Sequence, residues 1–505
     1  MTVKKYSVAW TKKETLRSIL FFLLHFVILA GIAAVLLLHD KMGTLIEYME
    51  QHGANYLYAL FCVFLLTAIM YFYFLFENKE MISNGKNIAL MFAVLDLYII
   101  MAFLLEQRVD IYARPVAFVA LMIFVLVGRR EAIFLNIISA LLMFIIDTFV
   151  APGTEIRNEY YSSLIISFSA GMIAIFFCDK AKTRFRVIGI GVLIVIPIDL
   201  IIFLLELSTL VNRGEALVGE MPAFEAILTR MGYGLFGGVM STVFFLAILP
   251  IFESLFNCLT VFRLRELTSS DAKILKKLKA EAPGTYNHSM MVAQLAEASA
   301  AAIGEDVDYA RAAALYHDVG KLHDPQHFTE NQGAYNLHDE LTPELSADII
   351  RSHAKDGYTL IKNNHLPDFL ADVAIQHHGT MPIRYFYAKA LKLTDGELNI
   401  EDFSYLGPKP QTKVAAIIMI ADAAEAAVRA TNSRKPEDAE RAIRMVIEER
   451  MDLEQFAECD ITMGDLTKIR LALVNTLTGV YHHRIKYPNI KYKRSEDGST
   501  KGENV

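Results

Sequence analysis

The chain has 505 residues, 54% of them hydrophobic, and a mean hydropathy of +0.34, which is too apolar for one soluble domain. A net charge of −7 without any extended basic tract excludes a phosphate-neutralising nucleic-acid footprint, so neither DNA nor RNA polymer is expected as a partner. Four scattered cysteines (Cys62, Cys178, Cys258, Cys459) with no CxxC pair exclude a disulfide framework and a zinc ribbon, and read as small packing residues. The N-terminal residues 1–17 are basic and read as a cytoplasmic segment. The apolar run Ile19 to Leu38 is long enough to cross a bilayer and has no clean cleavage pattern after it, so it reads as a retained anchor rather than a signal peptide.

Eight candidate spans follow the apolar runs, at roughly 18–38, 56–76, 87–105, 112–128, 132–150, 162–178, 186–207 and 232–257. The first is the anchor, 39–55 is a short extracytoplasmic loop, and 56–258 is a seven-helix module. Gly128-Arg129-Arg130-Glu131 makes a tight charged turn between the fourth and fifth spans, the alternative being one long broken helix. Basic residues cluster before the first span (Lys4, Lys5, Lys12, Lys13, Arg17), between four and five (Arg129, Arg130), between six and seven (Lys180, Lys182, Arg184, Arg186), and after span eight (Arg263, Arg265). The alternate loops are acidic or mixed, which puts both termini on the cytoplasmic side of a cell (inner) membrane, with the lipid bilayer as a partner. Asp96, Asp147 and Asp199 fall inside apolar spans, where they either line a ligand or ion pathway or pair within the bundle. Pro197 and Pro250 sit where they would kink their helices.

Residues 259–283 read as two short connector helices meeting near Thr268-Ser269-Ser270, one of which serves as N-cap. The connector is either a coupling element or a rigid spacer. Ala282-Pro283-Gly284 then breaks the chain.

From 284 to 490 the sequence reads as helix after helix. Thr285 caps a segment ending at Gly304; Asp306 or Asp308 caps the next; Pro343-Glu344 open one that Gly357 closes; Pro367-Asp368 open one that Gly379 closes; a long helix spans Gln411 to Ala430. The fold class is therefore all-α: a polytopic helical membrane bundle followed by an all-helical domain, with 491–505 as a polar, disordered tail. Eleven of the fourteen histidines lie from His288 onward. His288, His317, Asp318, His353, His377, His378 and Asp422 sit in or at the ends of five helices, among small residues rather than on solvated loops. Imidazole and carboxylate without cysteine suit Mn(II) or Fe(II). Two such ions about 3.5–4 Å apart acidify a shared water and clamp a phosphoryl oxygen. Asp318, directly after a histidine, is placed to bridge; His288, His317 and Asp422 complete one metal, and His353, His377 and His378 the other.

His288, LYHDVGK, His353, QHHGT and the IADAAEAA helix resemble the HD-domain phosphohydrolase superfamily. APGTYNHSMMVAQLAE, TENQGAYN, HDELTPELSADIIRSHAKDGY, QHHGT followed by YFYAKA, GPKPQTKVAAIIMIADAAEAAVRA and GVYHHRIKYPN narrow the resemblance to seven-transmembrane HD phosphodiesterases of the PgpH type. It covers residues 280–490, and the seven preceding spans fit the same family's membrane module. The resemblance implies hydrolysis of cyclic di-AMP to linear pApA at a centre of two Mn or Fe ions. It leaves open another nucleotide, cyclic di-GMP or (p)ppGpp, and a receptor that binds without cutting. Gly379-Thr380-Met381-Pro382 replaces the GYP motif usual in cyclic di-GMP hydrolases of this type.

Two departures stand out. The family typically has a large extracytoplasmic domain after its first span, where this chain has 17 residues, His39 to Asn55. HDPQHF stands where an Arg-Pro pair is usual, making His323 and His327 either supporting groups or surface residues. For substrate, Lys321 is placed to reach a phosphate oxygen and counts with Asp318 as catalytic. Asn331 and Gln332 are candidates for an adenine edge, Tyr385 or Tyr387 for stacking, and Arg429, on the Asp422 face of its helix, for phosphate. His482 and His483 read as structural, and a homodimer is left open.

Overall fold

A computed structural model describes residues 12–38, 43–150, 158–178, 181, 183–212, 221–333, 335–393, 397–431, 435–480, 491–494 and 500–503. The chain divides into two compact units, Met1–Arg263 and Leu264–Val505.

The first unit contains α1 (Lys12–Leu38), α2 (Leu45–Glu77), α3 (Lys79–Ser83), α4 (Gly85–Arg108), α5 (Phe118–Leu126), α6 (Arg129–Val150), α7 (Asn158–Cys178), α8 (Arg184–Asn212) and α9 (Met221–Leu255). Among the described residues, seven helices (α1, α2, α4 and α6 to α9) are long and apolar enough to cross a membrane. Large apolar side chains such as Val27, Phe61 and Ile196 stay exposed on their outer faces, a surface that only lipid would satisfy. Pro197 and Pro250 lie inside α8 and α9 as expected. The interval 39–55 is mostly helix, since α2 begins at Leu45; 39–42 and the basic residues Lys4, Lys5, Lys180 and Lys182 lie outside the described residues.

The fourth expected span, 112–128, is not a single helix. Ile111–Ala113 form one 3-10 turn, Arg114 is extended (φ −61°, ψ 142°), and only the nine residues of α5 are α-helical. Nine residues rise about 14 Å, half of a hydrocarbon core of about 30 Å. Pro115 supplies the reason, because the residue before a proline is pushed out of the α region. Irregular backbone is tolerated at that depth only when protein surrounds it. Here Tyr112, Ala113, Arg114 and Val116 to Ile123 are all buried. A β-carbon on Gly237 of α9 would stand 2.6 Å from the Tyr112 carbonyl and 2.7 Å from that of Arg114, so α9 packs directly on the broken segment. Arg114 donates to both oxygens of Asp147 at 2.7 and 2.6 Å and also pairs with Glu106. Asp147 is thus paired inside the bundle, whereas Oδ1 of Asp96 and of Asp199 is buried with no hydrogen-bond partner among the described residues. The turn at Gly128 (φ +152°) separates α5 from α6 as expected.

The division between the units falls within α10 (Val261–Leu267). The second unit continues with α11 (Lys273–Glu281), α12 (Pro283–Ile303), α13 (Val307–Tyr316), α14 (Pro343–Asn363), α15 (Asp368–Gln376), α16 (Arg384–Leu391), α17 (Lys413–Ala430), α18 (Pro436–Asp452) and α19 (Met463–Val480). The α11 N-cap position is Ala272, which offers no side-chain cap, so the Thr268-Ser269-Ser270 cap is not realised. Central α17 is buried on every side from Val414 to Ala421 and packs against α12, α13, α15, α18 and α19. Alanines on the facing helices (Ala293, Ala296 and Ala300 on α12; Ala310 and Ala312 to Ala314 on α13) let the axes approach closely, which draws ligands from separate helices together.

Several helix ends differ from the sequence reading for traceable reasons. α12 starts at Pro283, and its first-turn amides at Gly284 and Thr285 donate to Asn331 Oδ1 (2.9 and 3.2 Å), a cap from 46 residues away rather than from Thr285. Asp306 caps α13 and Thr342 caps α14. α14 runs through Gly357 to Asn363; Gly357 is a point of close approach to Gly320, not a stop. The tail carries an antiparallel pair, β1 (Lys491–Arg494) with β2 (Thr500–Glu503), against the expected disorder, while 481–490 with His482 and His483 lie outside the described residues.

Candidate metal centre

Five helices deliver the seven expected ligands: α12 carries His288, the end of α13 His317 and Asp318, α14 His353, the end of α15 His377 and His378, and α17 Asp422. The two oxygens of Asp318 face opposite halves of the cluster. Oδ2 lies 3.3 Å from His317 Nε2 and 3.8 Å from His288 Nε2. Oδ1 lies 3.3 Å from His353 Nε2 and 3.6 Å from His377 Nε2. Asp422 Oδ1 is 2.9 Å from His288 Nε2 and 3.9 Å from His317 Nε2, and its Oδ2 is 3.8 Å from His378 Nδ1. Ligand-type atoms of Asp318, His353, His377 and His378 fall within 4.8 Å of one another, and so do those of His288, His317 and Asp318. A third group, His317, His377 and Asp422, joins the two, so the seven side chains form one continuous cluster.

Local helix geometry sets the tautomers. His317 and His377 direct Nδ1 at the carbonyls of Ala314 (2.6 Å) and Ala374 (2.8 Å), three residues back, and His353 does the same to Ile350. An Nδ1–H held by a carbonyl leaves Nε2 with a free lone pair, the arrangement that metal-binding histidines use. His288 has the same orientation, with Nδ1 held by Glu425 Oε2 at 3.0 Å in place of a carbonyl. His317 Nε2 and Asp318 Oδ1 are buried with no hydrogen-bond partner among the described residues. Orphaned buried polar atoms are costly unless something else satisfies them. Together with a nitrogen and oxygen donor set, they fit divalent cations.

The electrostatics agree. Burial would push Asp318 up, but Lys321 and His317 outweigh it and hold its carboxyl well below the usual range; His288 does the same for Asp422. Burial drives His353 down to about 3, and burial with the neighbouring His377 drives His378 well down, so both stay neutral. For His288 burial is outweighed by Asp422 and Glu425, which raise it to about 10. The carboxylates thus create a negative potential that a cation would neutralise.

The expected substrate groups fare unevenly. Lys321 Nζ sits 2.8 Å from Asp318 Oδ2 and 2.8 Å from Glu330 Oε1, at the edge of the ligand set. Burial would lower this amine, but Asp318 and Glu330 outweigh it and keep it charged. Asn331 is spent on capping α12 and on Thr285 and Pro325, so its amide is not available to a base. Tyr387 donates to the Leu398 carbonyl and packs on Phe403, a role inside the protein. Arg429 is half exposed and pairs with Glu425 at 3.3 Å rather than entering the cluster. Gln332 donates to Asn336, and Tyr385 is exposed beside Phe386. Cluster neighbours outside the expected set are Glu425, Glu330 and Tyr405. Glu425 was legible as a carboxylate three residues after Asp422, on the same helix face. Tyr405 lies outside any helix and gave no periodic signal. Its ring stacks on His378 (centroids 4.2 Å, 30°), and burial raises its phenol against the pull of Lys321, so it remains a neutral donor.

Two family models match the chain: "7TM receptor with intracellular HD hydrolase" over residues 54–260 and "HD domain" over residues 285–427. The two matches define the class, and this multi-pass membrane protein is similar over both regions to the seven-transmembrane HD family. Among its relatives, the cyclic-di-AMP phosphodiesterase PgpH of Listeria monocytogenes is 36% identical over 88% of this chain and 61% of its own length. PgpH of Bacillus subtilis is 36% identical over 85% of this chain and 59% of its own length. The chain therefore spans about three fifths of these relatives. The crystal structure of the L. monocytogenes PgpH HD domain in complex with cyclic-di-AMP is 50% identical, covering 42% of this chain and 99% of that one, with a TM-score of 0.41.

Proposed function

We propose that this protein is a membrane-anchored phosphodiesterase that hydrolyses cyclic di-AMP to linear pApA and so tunes a second-messenger signal. The observation that carries the reading is Asp318, one carboxylate whose two oxygens face two separate sets of ligand nitrogens. A pair of divalent cations, Mn or Fe, would be held by His288, His317 and Asp422 on one side and His353, His377 and His378 on the other, and when bound would supply an acidified water and charge neutralisation. The protein's own groups do the rest. The carbonyl-held Nδ1 atoms fix the histidine tautomers, and Asp318 stays ionised. Lys321, charged and anchored by Glu330, has a third donor with which to hold a phosphoryl oxygen. Gln332 and Tyr385 remain the candidates for contact with a base.

The relatives' substrate supports cyclic di-AMP, as does the departure from GYP at Gly379 to Pro382. The charge bias of the loops supports an inner-membrane protein with both termini in the cytoplasm, where such a nucleotide is found. The test is chromatography of products after the full chain is incubated with Mn(II) and each of cyclic di-AMP, cyclic di-GMP and (p)ppGpp. Linear pApA as the dominant product is expected. Faster turnover of either rival would overturn the substrate, and metal-replete protein that binds cyclic di-AMP without releasing product would favour a receptor.

A further inference from the structure

Tyr405 is held beside the cluster by a short pairing of two segments that also seats Phe403 in a small apolar core. The segment after His378 turns through Gly379 (φ +52°) and pairs with residues 403–405. Ile383 N donates to Phe403 O at 2.8 Å, Tyr405 N donates to Met381 O at 3.1 Å, and Pro382 bridges Ser404 in antiparallel register. This short clamp ties Tyr405 to the loop that leaves the paired histidines. Its ring stacks on His378 at 4.2 Å and meets His353 edge-on at 5.9 Å, so it covers the half of the cluster formed by those residues. The stack fixes the ring plane. The hydroxyl makes no hydrogen bond among the described residues, and the charges of Lys321, Asp318 and Asp422 act on it. A half-buried phenol whose donor is unspent, on a ring stacked against one of the cluster histidines, is poised for a ligand oxygen.

We infer that Tyr405 is a catalytic residue whose hydroxyl donates a hydrogen bond to a non-bridging oxygen of the phosphodiester bound at the cluster. The inference rests on the phosphodiesterase reading and adds a donor that neither a metal nor Lys321 provides, since it approaches from the His353 and His378 side. No proton is transferred: the phenol stays neutral and strengthens its hydrogen bond as charge develops on the phosphoryl oxygens.

The test uses Tyr405→Phe in the full-length protein in detergent, which keeps the ring and removes only the oxygen. Turnover is measured on cyclic di-AMP and on bis(p-nitrophenyl) phosphate, beside metal content and melting temperature. The expected result is a fall in kcat of about 10²-fold on both substrates, the scale for losing one preorganised donor, with metal content and melting temperature unchanged. Turnover within twofold of the parent protein would overturn the inference, as would a loss of metal that matches the loss of rate, since that is a structural role. Tyr405→Leu separates the two parts of the side chain: it is expected to lose metal as well as rate, because the stack on His378 goes with the ring. A parent protein inert on both esters would instead sink the phosphodiesterase reading itself.

Discussion

Glu425 Oε2 accepts a hydrogen bond from His288 Nδ1 at 3.0 Å, while the Nε2 of the same ring faces Asp422 Oδ1 at 2.9 Å. The two carboxylates come from one helix, three residues apart, and grip one imidazole from opposite edges. Glu425 is buried and braced by Arg429, so it orients the ring rather than solvating it. Removing such a partner typically weakens a metal site by about 10–100-fold. Glu425→Ala is expected to raise the metal concentration for half-maximal activity by that factor while kcat at saturating metal stays near the parent value. Titration with Mn(II) checks it; an unchanged midpoint would mean that Glu425 does not orient His288.

Asp318 stands at the junction of both ligand sets, and groups that act as a unit fail together. Asp318→Ala is expected to lower turnover by roughly 10⁴-fold or more while membrane insertion is intact. His378→Ala should abolish hydrolysis in the same way. Metal analysis alongside rates is the check, and near-parent turnover in either purified variant would refute the assignment.

Much of this site was legible in the sequence because its ligands come as adjacent pairs. His317-Asp318 and His377-His378 sit at helix ends, and His288, His353 and Asp422 lie on helices with obvious apolar faces. What was not legible depends on contacts between distant residues. Asn331 looked like a free amide and proved to cap α12 from 46 residues away. Tyr387 looked like a base platform and proved to pack on Phe403. Gly357 looked like a helix stop because a glycine within a helix and one at its end read alike from one strand of sequence. In the membrane unit, hydropathy over 112–128 registered apolarity but not the backbone break at Arg114-Pro115, and the partner that Asp147 finds in Arg114 could not be named from spacing alone.

Gly320 shows how tightly the metal-binding turn is seated. A β-carbon there would overlap the His353 carbonyl and crowd the Gly357 amide. Gly320→Ala should therefore push the turn after Asp318 away from α14. Overpacking of this kind costs about 1–3 kcal/mol, and a displacement of about 1 Å at a catalytic group costs about 10²-fold in rate. The expected outcome is a folded protein with a lower melting temperature and turnover reduced on that scale. Parent-like rates would show that the turn tolerates the shift.

The pKa shifts give metal-stripped protein a particular pH profile. His288 is raised to about 10, so the stability it contributes is fully present below the ordinary histidine value and is lost as pH rises through about 10. His353 is depressed to about 3 by burial, so the unfolded chain takes up a proton that the folded chain refuses, and stability falls as pH drops from about 6.5 toward 3. Melting temperature in chelator should peak between these limbs. Added metal should flatten the alkaline limb, because a cation then replaces the proton on His288 in neutralising Asp422 and Glu425. A chelated protein equally stable at pH 6.5 and 9.5 would contradict this account.

Arg114 and Asp147 make the corresponding prediction in the membrane unit. Both side chains are almost fully buried, at 0% and 5% exposure, and the guanidinium holds both carboxylate oxygens. Replacing such a pair with apolar residues can be neutral, but removing one member strands the other, at a cost of about 3–5 kcal/mol. Asp147→Ala should therefore destabilise the bundle by that amount, since Glu106 accepts from Arg114 through only one of its oxygens. The double variant Arg114→Met/Asp147→Leu should recover most of the loss. Unfolding in detergent, followed by helical signal against denaturant, measures both, and a double variant no better than the single one would show that the pair shapes the broken fourth span rather than merely neutralising itself.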